Sequence, residues 1–560
     1  MTWSRVGFSA QIVGILLIAL ALTRAGFVGR YETWQRSEAL RYTPDMENGW
    51  NWGSRAAKDG YFDLYGKVVE SQKDRQKKAY GLDYVPLRLA VMTLWAKSRL
   101  DADPTIAKWQ RDYAFNAPLL HFNTAMELLA SAGIFAVARQ WSRRQDESRQ
   151  INRRWLRAEW LALAAFALAW LNTASIVSAH CRPTWDVWVL PFFIWAIWSA
   201  SKNFWLTAGV LLGVGTILKG QHLAVAPMFI LWPLLSLRFG AAVRFVLGFG
   251  LSIGLIISPW IVGPQLFPIL LVVSAGLVPT IVWLVLKRWP IRERSMPARW
   301  IRWSTPAFVA IAMAVCVFVL GGLTDWYEIA FVYGASKFKG LEVGGASSLA
   351  GILQNRYGWS AESPVETLKL IGIEATISYV LVAIFGICMF ASCLALSRYE
   401  RARDARFVLA MAVPWIVYFA IFPKMHERYL LWGALSACCA AIIGMGPTLL
   451  AIFFSLASTI MSLFQMLSRN RANEFLTEIS PTAGMTVHDF IKPTFPDIGW
   501  AILLAAAVWA WIAITPALRY RLQPKPKLLA PPPGPAVSSA PADQDATRPR
   551  EGLSPPDAMI

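Results

Sequence analysis

Charge is scarce in this 560-residue sequence. Asp, Glu, Lys and Arg together supply 16% of it, while 56% is apolar and 13% aromatic. That balance leaves too little polar surface to hold a folded chain in water, and a soluble globular class is excluded. Cysteine is sparse as well. Cys181, Cys316, Cys388, Cys393, Cys438 and Cys439 lie in or beside apolar runs, with no zinc-like spacing and no pairing evident in the hydrophilic stretches. They read as structural. Period-two alternation is missing from the apolar runs, which excludes a membrane β-barrel, and no internal repeat is evident.

What remains is a series of continuous apolar windows. Each is long enough for a helix rising ~1.5 Å per residue to cross a ~30 Å hydrocarbon layer. Spans are expected at 7–24, 118–139, 159–178, 186–200, 204–218, 221–237, 241–262, 265–287, 304–321, 369–395, 406–422, 428–445, 447–466 and 498–516. The expected fold is therefore an all-α polytopic membrane protein of about fourteen transmembrane helices. The first span resembles a signal sequence, with "ALA" at 19–21 as a cleavage-like site, and is read as an uncleaved anchor.

The formal charge of +19 is distributed by side of the membrane, so it calls for no nucleic-acid partner. The basic runs at 139–157, 286–302, 397–406 and 519–527 fall on one face if the chain starts inside, which makes that face cytoplasmic. The segment "YVPLRLAVMTLWAKSRL" at 84–100 is interrupted by Arg88, Lys97 and Arg99. It is read as a helix lying in the outer interface, because a crossing there would throw the Arg-rich 139–157 loop outside. Large outer loops follow at about 25–117, 322–368 and 467–497, and the Pro- and Ala-rich stretch 523–560 is expected to be a disordered cytoplasmic tail.

Polar groups collect at four outer ends of spans. "FPKMHERYLLW" (422–432) carries Lys424, His426, Glu427 and Arg428, a cationic nest suited to phosphate with Glu427 orienting a neighbouring cation. Ordinary interfacial anchoring is the competing reading there. "RYTPDMENGWNWGSRAAKDGYFDLYGK" (41–67) offers Asp45 and Glu47 ahead of Trp50, Trp52, Tyr61, Phe62 and Tyr65, aromatics able to press on the membrane. A carboxylate in that place can serve as a general base or lie in the first turn of a capped helix, and the two roles are compatible. "SAHCRPTWDVW" (178–188) and "LKGQHLAVAP" (218–227) add His180, Arg182, Asp186, Lys219, Gln221 and His222. Glu127 stands apart as an intramembrane carboxylate whose partner the sequence does not name.

These motifs resemble the GT-C superfamily of polyprenyl-phosphate-sugar-dependent glycosyltransferases. "DMENGWNWGSRAAKDGYFDLYGK" followed by "LDYVPLRLAVMTLW" is similar to that superfamily's first outer loop, with its D-M-x(5)-W core and Y-P-P-L-like segment. "WLTAGVLLGVGTILKGQHLAVAP" is similar to its A-G-x-x-x-G…K-x-Q…P helix pair, and "MHERYLL" to its H-E-R-Y-L-L box. The matches run in the superfamily's order over most of the chain. Val85 departs from its usual Pro, and in "RPTWDVW" only Asp186 matches its G-Q-x-D turn.

The resemblance implies one transmembrane catalytic domain over residues 1–522, in a bacterial inner membrane with the site facing the periplasm. It implies an inverting hexosyl transfer, of mannosyltransferase or glucosyltransferase type, from a polyprenyl-phosphate-linked donor to an acceptor hydroxyl on a glycan, lipid or protein. Asp45 matches the catalytic base. Lys219, Gln221, His426 and Arg428 match positions near the donor headgroup, with Lys424, Lys337 and Lys339 as further phosphate partners and Glu47, Asp186 and Glu427 as supporting acids. No metal or other cofactor is implied. Two alternatives stay open: a lipid or sugar transporter or flippase, and an oligosaccharide ligase of the same fold that uses a diphosphate donor.

Overall fold

The computed structural model of the chain describes residues 2–38, 41, 43–73, 82, 84–148, 155–262, 329, 340–342, 345–365, 375–469 and 495–519. The expected spans 265–287 and 304–321, Lys337 and Lys339, much of the loops 322–368 and 467–497, and the tail 523–560 lie outside them.

Helix dominates, and no named strand occurs among the described residues; there are only isolated bridges. In chain order the α-helices are α1 (Thr2–Arg36), α2 (Pro44–Asp59), α3 (Leu64–Lys73), α4 (Pro86–Leu100), α5 (Tyr113–Ser148), α6 (Trp155–Trp170), α7 (Thr173–Ile176), α8 (Val189–Ser201), α9 (Trp205–Leu218), α10 (His222–Leu235) and α11 (Phe239–Val262). They continue with α12 (Leu349–Tyr357), α13 (Ile377–Ala402), α14 (Phe407–Ile421), α15 (Leu430–Ala437), α16 (Met445–Arg469) and α17 (Phe495–Arg519). Seven segments among the described residues are long and apolar enough to cross a membrane: Ala10–Arg36, Tyr113–Ser148, Arg157–Cys181, Phe239–Ser258, Ile377–Ala402, Met445–Met466 and Asp497–Arg519. The chain is thus a multi-pass integral membrane protein.

Four apolar helices are shorter: Asp186–Ser201, Trp205–Leu218, His222–Leu235 and Phe407–Ile421. At ~1.5 Å per residue each covers only about 21–24 Å, less than the ~30 Å of a hydrocarbon layer. Each has one end among the charged residues at Arg182–Asp186, Lys219–His222 or Lys424–Arg428. The fold therefore collects its polar groups where buried helices stop early.

The run 428–445 differs from its expected form as a single continuous span. A 3₁₀ turn at Glu427–Tyr429 leads into α15, and a second 3₁₀ stretch, Cys438–Ile442, ends it. Because 3₁₀ geometry rises ~2 Å per residue, Glu427–Ile442 still reaches roughly 28 Å. The basic runs at 139–157 and 397–406 are also partly helical, as α5 continues to Ser148 and α13 to Ala402.

Two close approaches set the position of the polar ends. In α2, apolar residues recur at helical spacing, and Met46, Gly49, Trp50, Gly53 and Ala56 are buried against α4. A Cβ on Gly53 would lie 2.2 Å from the Met92 carbonyl oxygen, so only glycine permits this contact. In α9, Gly209 faces α11, and a Cβ there would stand 2.1 Å from the Phe245 carbonyl oxygen. This is the small-residue packing that lets apolar helices meet without a hydrophobic driving force.

The aromatics after Asp45 do not press on lipid as a group. Trp50, Trp52 and Tyr65 are buried within the protein. Trp50 packs edge-on to Trp95 at 5.8 Å, and the Tyr65 hydroxyl donates to the Tyr84 carbonyl at 2.7 Å. Burial within the protein removes more of their surface from water than an interfacial pose would.

Candidate functional site

Pro44 occupies the first turn of α2, where its missing N–H costs nothing, and Asp45 follows it among the unpaired amides of the helix start. Thr43 precedes the helix, but its hydroxyl donates to the Glu47 carboxylate at 3.0 Å and makes no side-chain cap to the backbone. Glu47 is exposed and turned away, whereas Asp45 points to Arg428. The Arg428 Nη1 donates to Asp45 Oδ2 at 2.8 Å, across 383 residues of sequence.

Arg428 reaches a second carboxylate. Its Nε lies 2.7 Å from Asp186 Oδ2, and the other oxygen of Asp186 pairs with the Lys219 ammonium. Lys219 caps the C-terminal end of α9, where a cation meets the negative end of the helix dipole. Its Nζ also stands over the Tyr429 and Trp432 rings, 4.9 and 5.3 Å from their centroids. Glu427 is fully buried and pairs with Arg182, and its other oxygen is 3.8 Å from His426 Nδ1. Gln221 Nε2 donates to the Tyr429 hydroxyl at 3.4 Å. The structure thus brings Asp45, Asp186, Lys219, Gln221, His426, Glu427 and Arg428 into one connected cluster.

Lys424 stands at its edge in a left-handed backbone conformation, φ 62°, with its amide donating to the Leu341 carbonyl. The second outer loop touches the motif there too, through single bridges from Glu342 to Met425 and from Gly345 to His426. Lys337 and Lys339 of that loop are outside the described residues.

Two further cations join the cluster: Arg182, offered by the motif at 178–188, and Arg88, which the motifs left out of the site. Arg182 holds Glu427, and Arg88 is buried with its guanidinium 3.2 Å from the Tyr84 ring centroid and 4.4 Å from that of Trp185. Among the described residues, four cations (Arg88, Arg182, Lys219 and Arg428) stand with three carboxylates (Asp45, Asp186 and Glu427). Burial opposes the charge on Asp45, but Arg428, Arg182 and Arg88 outweigh it and hold the carboxyl below its usual range. Burial, with Arg428 and Arg182 nearby, drives His426 well below the ordinary imidazole range, so it is neutral at physiological pH.

Glu127 now has partners. Arg30 forks onto it at 2.9 and 3.1 Å, His180 Nε2 meets it at 2.9 Å, and the Ser175 hydroxyl donates to it. Arg30 donates as well to the carbonyls of Gly26 and Trp170. His180 lies on a π-helical turn, Val177–Cys181, that leads directly to Arg182. The group ties α1 and α5 to the loop that supplies Arg182 and Asp186.

No protein-family model matches the sequence, and no curated protein aligns with it significantly. A carboxylate at the accessible edge of a buried net of arginine and lysine can take a proton from a hydroxyl while the cations hold an anion beside it. Among the described residues, no three His, Cys, Asp or Glu side chains gather in a way that could hold a metal ion.

Proposed function

We propose that this protein is a membrane glycosyltransferase that moves a sugar from a polyprenyl-phosphate donor to an acceptor hydroxyl, with Asp45 as general base. The observation that carries the reading is the bridge from Asp45 through Arg428 to Asp186 and Lys219, which draws residues distant in sequence into one charged cluster. The short apolar helices that end there leave the cluster within reach of a lipid headgroup.

In this reading the acceptor hydroxyl gives its proton to Asp45 as its oxygen attacks the anomeric carbon. The bond from that carbon to the phosphate oxygen breaks, and its electron pair leaves on the lipid phosphate. One displacement of this kind inverts the anomeric centre. Arg428, Arg182 and Lys219 favour the reaction because charge grows on the leaving phosphate as the bond breaks, so their attraction is greater in the transition state than in the ground state. Gln221 and Tyr429 form the polar wall beside Lys219. The site faces the extracytoplasmic side, the periplasm of a bacterial inner membrane, and the acceptor is a glycan, lipid or protein.

A lipid transporter or flippase is the second reading, and the Arg30–Glu127–His180 group is what favours it, since transporters place ionisable groups within the bilayer. Its saturation counts against it. Arg30 makes four hydrogen bonds and Glu127 accepts from Arg30, Ser175 and His180, which is the signature of a tie between helices. The diphosphate-donor ligase calls for further acids near Asp45; of the two ready candidates Glu47 is turned away from the cluster, and Asp186 is already held by Arg428 and Lys219.

The deciding experiment is Asp45→Asn in purified protein, with radiolabelled polyprenyl-phosphate sugars supplied as donors. Transfer should fall by at least about 100-fold, the typical worth of a positioned general base, while donor binding is retained. Full transfer by the variant would remove Asp45 as the base.

A further inference from the structure

The three ion pairs of the cluster are not equivalent. Asp186 and Glu427 are completely buried, whereas the Asp45 side chain keeps 17% of its surface exposed. Asp186 is also held twice, by Arg428 at one oxygen and Lys219 at the other. Among the described residues the ion pair at Asp45 is with Arg428. Withdrawing Arg428 would therefore leave Asp186 with a counter-charge and leave Asp45 without one in contact. The pair at the accessible edge is the one an incoming anion meets, and a guanidinium offers a phosphate two parallel donors, the geometry it prefers to a single carboxylate oxygen.

We infer that Arg428 is a latch on the base: in the empty site it masks Asp45, and the donor's phosphate draws the guanidinium onto itself and so releases Asp45 to accept the acceptor's proton. The inference rests on the polyprenyl-phosphate reading above and adds an order to it, with the donor binding before the base is active. A ligand can shift such an arrangement only by interacting differently with its two states, and here the difference is the bidentate contact that exists only after release. Premature chemistry is avoided by the same device, since no hydroxyl can be deprotonated before the sugar donor is in place. The groups facing Asp45 are Arg428, Arg182, Arg88 and the neutral His426. Once Arg428 has turned to the phosphate, the more distant Arg182 and Arg88 keep Asp45 ionised at neutral pH. It is then a stronger base than before, closer to the match with operating pH that proton transfer favours.

The test uses the full chain in detergent and a hydrophobic carbodiimide, which modifies carboxyl groups through their protonated form. Modification of Asp45 is followed by peptide mass spectrometry with and without undecaprenyl phosphate, and lipid binding is measured in parallel by native mass spectrometry. Bound undecaprenyl phosphate should speed Asp45 modification about tenfold, the factor that follows when one differential interaction of about 1.4 kcal/mol is lost. In Arg428→Gln, modification should already be fast and lipid should add nothing. Lipid that binds without accelerating modification of Asp45 overturns the latch and leaves the phosphate reading standing. Failure of the lipid to bind overturns both. If Arg428→Gln does not fold, the comparison of the native chain with and without lipid decides alone.

Discussion

His426 shows how a single side chain in this cluster reports its surroundings. It sits beside Arg428 and Arg182 and is mostly removed from water, so the folded protein holds its imidazole neutral well below the ordinary value of 6.5. The unfolded chain takes up a proton near that value and the folded chain does not. The folded state therefore keeps its full stability above pH 6.5 and loses it as the pH falls further. Asp45 does not confuse this window. Its carboxyl is held below 3.8, so the stability it contributes is present above that value and fades only in stronger acid. The expected outcome is that the melting temperature of the native chain drops between pH 7.5 and 5.5 by more than that of His426→Gln, as followed by tryptophan fluorescence in detergent. Equal drops would mean that His426 is not the group taking the proton. At this scale the sequence was legible where residues stand in motifs: Asp45, Asp186, Lys219, Gln221, His426, Glu427 and Arg428 can all be read from short polar runs at helix ends. Arg88 is harder to find, because its place comes from the Tyr84 and Trp185 rings, and Arg182, though it stands in a motif, has its partner Glu427 245 residues away. Glu127 poses the same difficulty, since its fork partner Arg30 is 97 residues distant.

At the level of elements, composition separates apolar helix from polar loop but does not say which faces meet protein and which meet lipid. Trp50, Trp52 and Tyr65 illustrate this: an aromatic run near a bilayer surface reads equally as an interfacial belt or as packing, and their burial within the protein makes it packing. The break of 428–445 into 3₁₀ and α pieces is invisible for a related reason, because hydropathy is blind to whether a buried run winds with three or 3.6 residues per turn. Gly209 and Gly213, which entered the sequence reading only through the superfamily resemblance, lie on the side of α9 that meets α11 closely. That contact places Lys219, which follows α9 directly. Gly209→Val should therefore act at a distance: the new side chain meets Phe245 backbone on α11, and overpacking of this kind costs about 1–3 kcal/mol. A lower melting temperature with weaker donor binding is expected, although Gly209 is no part of the cluster. A variant with normal stability and normal affinity would show that the α9–α11 contact does not position Lys219.

The whole molecule poses a question of sidedness, because the proposed chemistry needs Asp45, Lys219 and Arg428 on the face where lipid-linked sugars are presented. The cluster already places those three residues at one level of the fold, through ion pairs that no bilayer could interrupt. Which level it is follows from the distribution of Lys and Arg. Arg139 and Arg143, both paired with Glu159, and Arg238, paired with Glu400, gather at the opposite ends of the helices that bear the site. α9 carries this relation most simply: Lys219 follows its last residue, while Lys202 lies in the turn before its first. Basic residues concentrated in short connections mark the cytoplasmic face, so the proposed orientation turns the cluster outward. Asp103, in the exposed turn after α4, belongs to the face of Asp45, and Arg403, in the turn after α13, to the basic face. With Asp103→Cys and Arg403→Cys made singly in intact cells, a membrane-impermeant maleimide should modify the first at once and the second only after permeabilisation. The five described native cysteines are buried or half-buried, so the parent chain supplies the background. Modification in the reverse order would turn the site to the cytoplasm, where a donor presented on the outer leaflet could not reach Asp45.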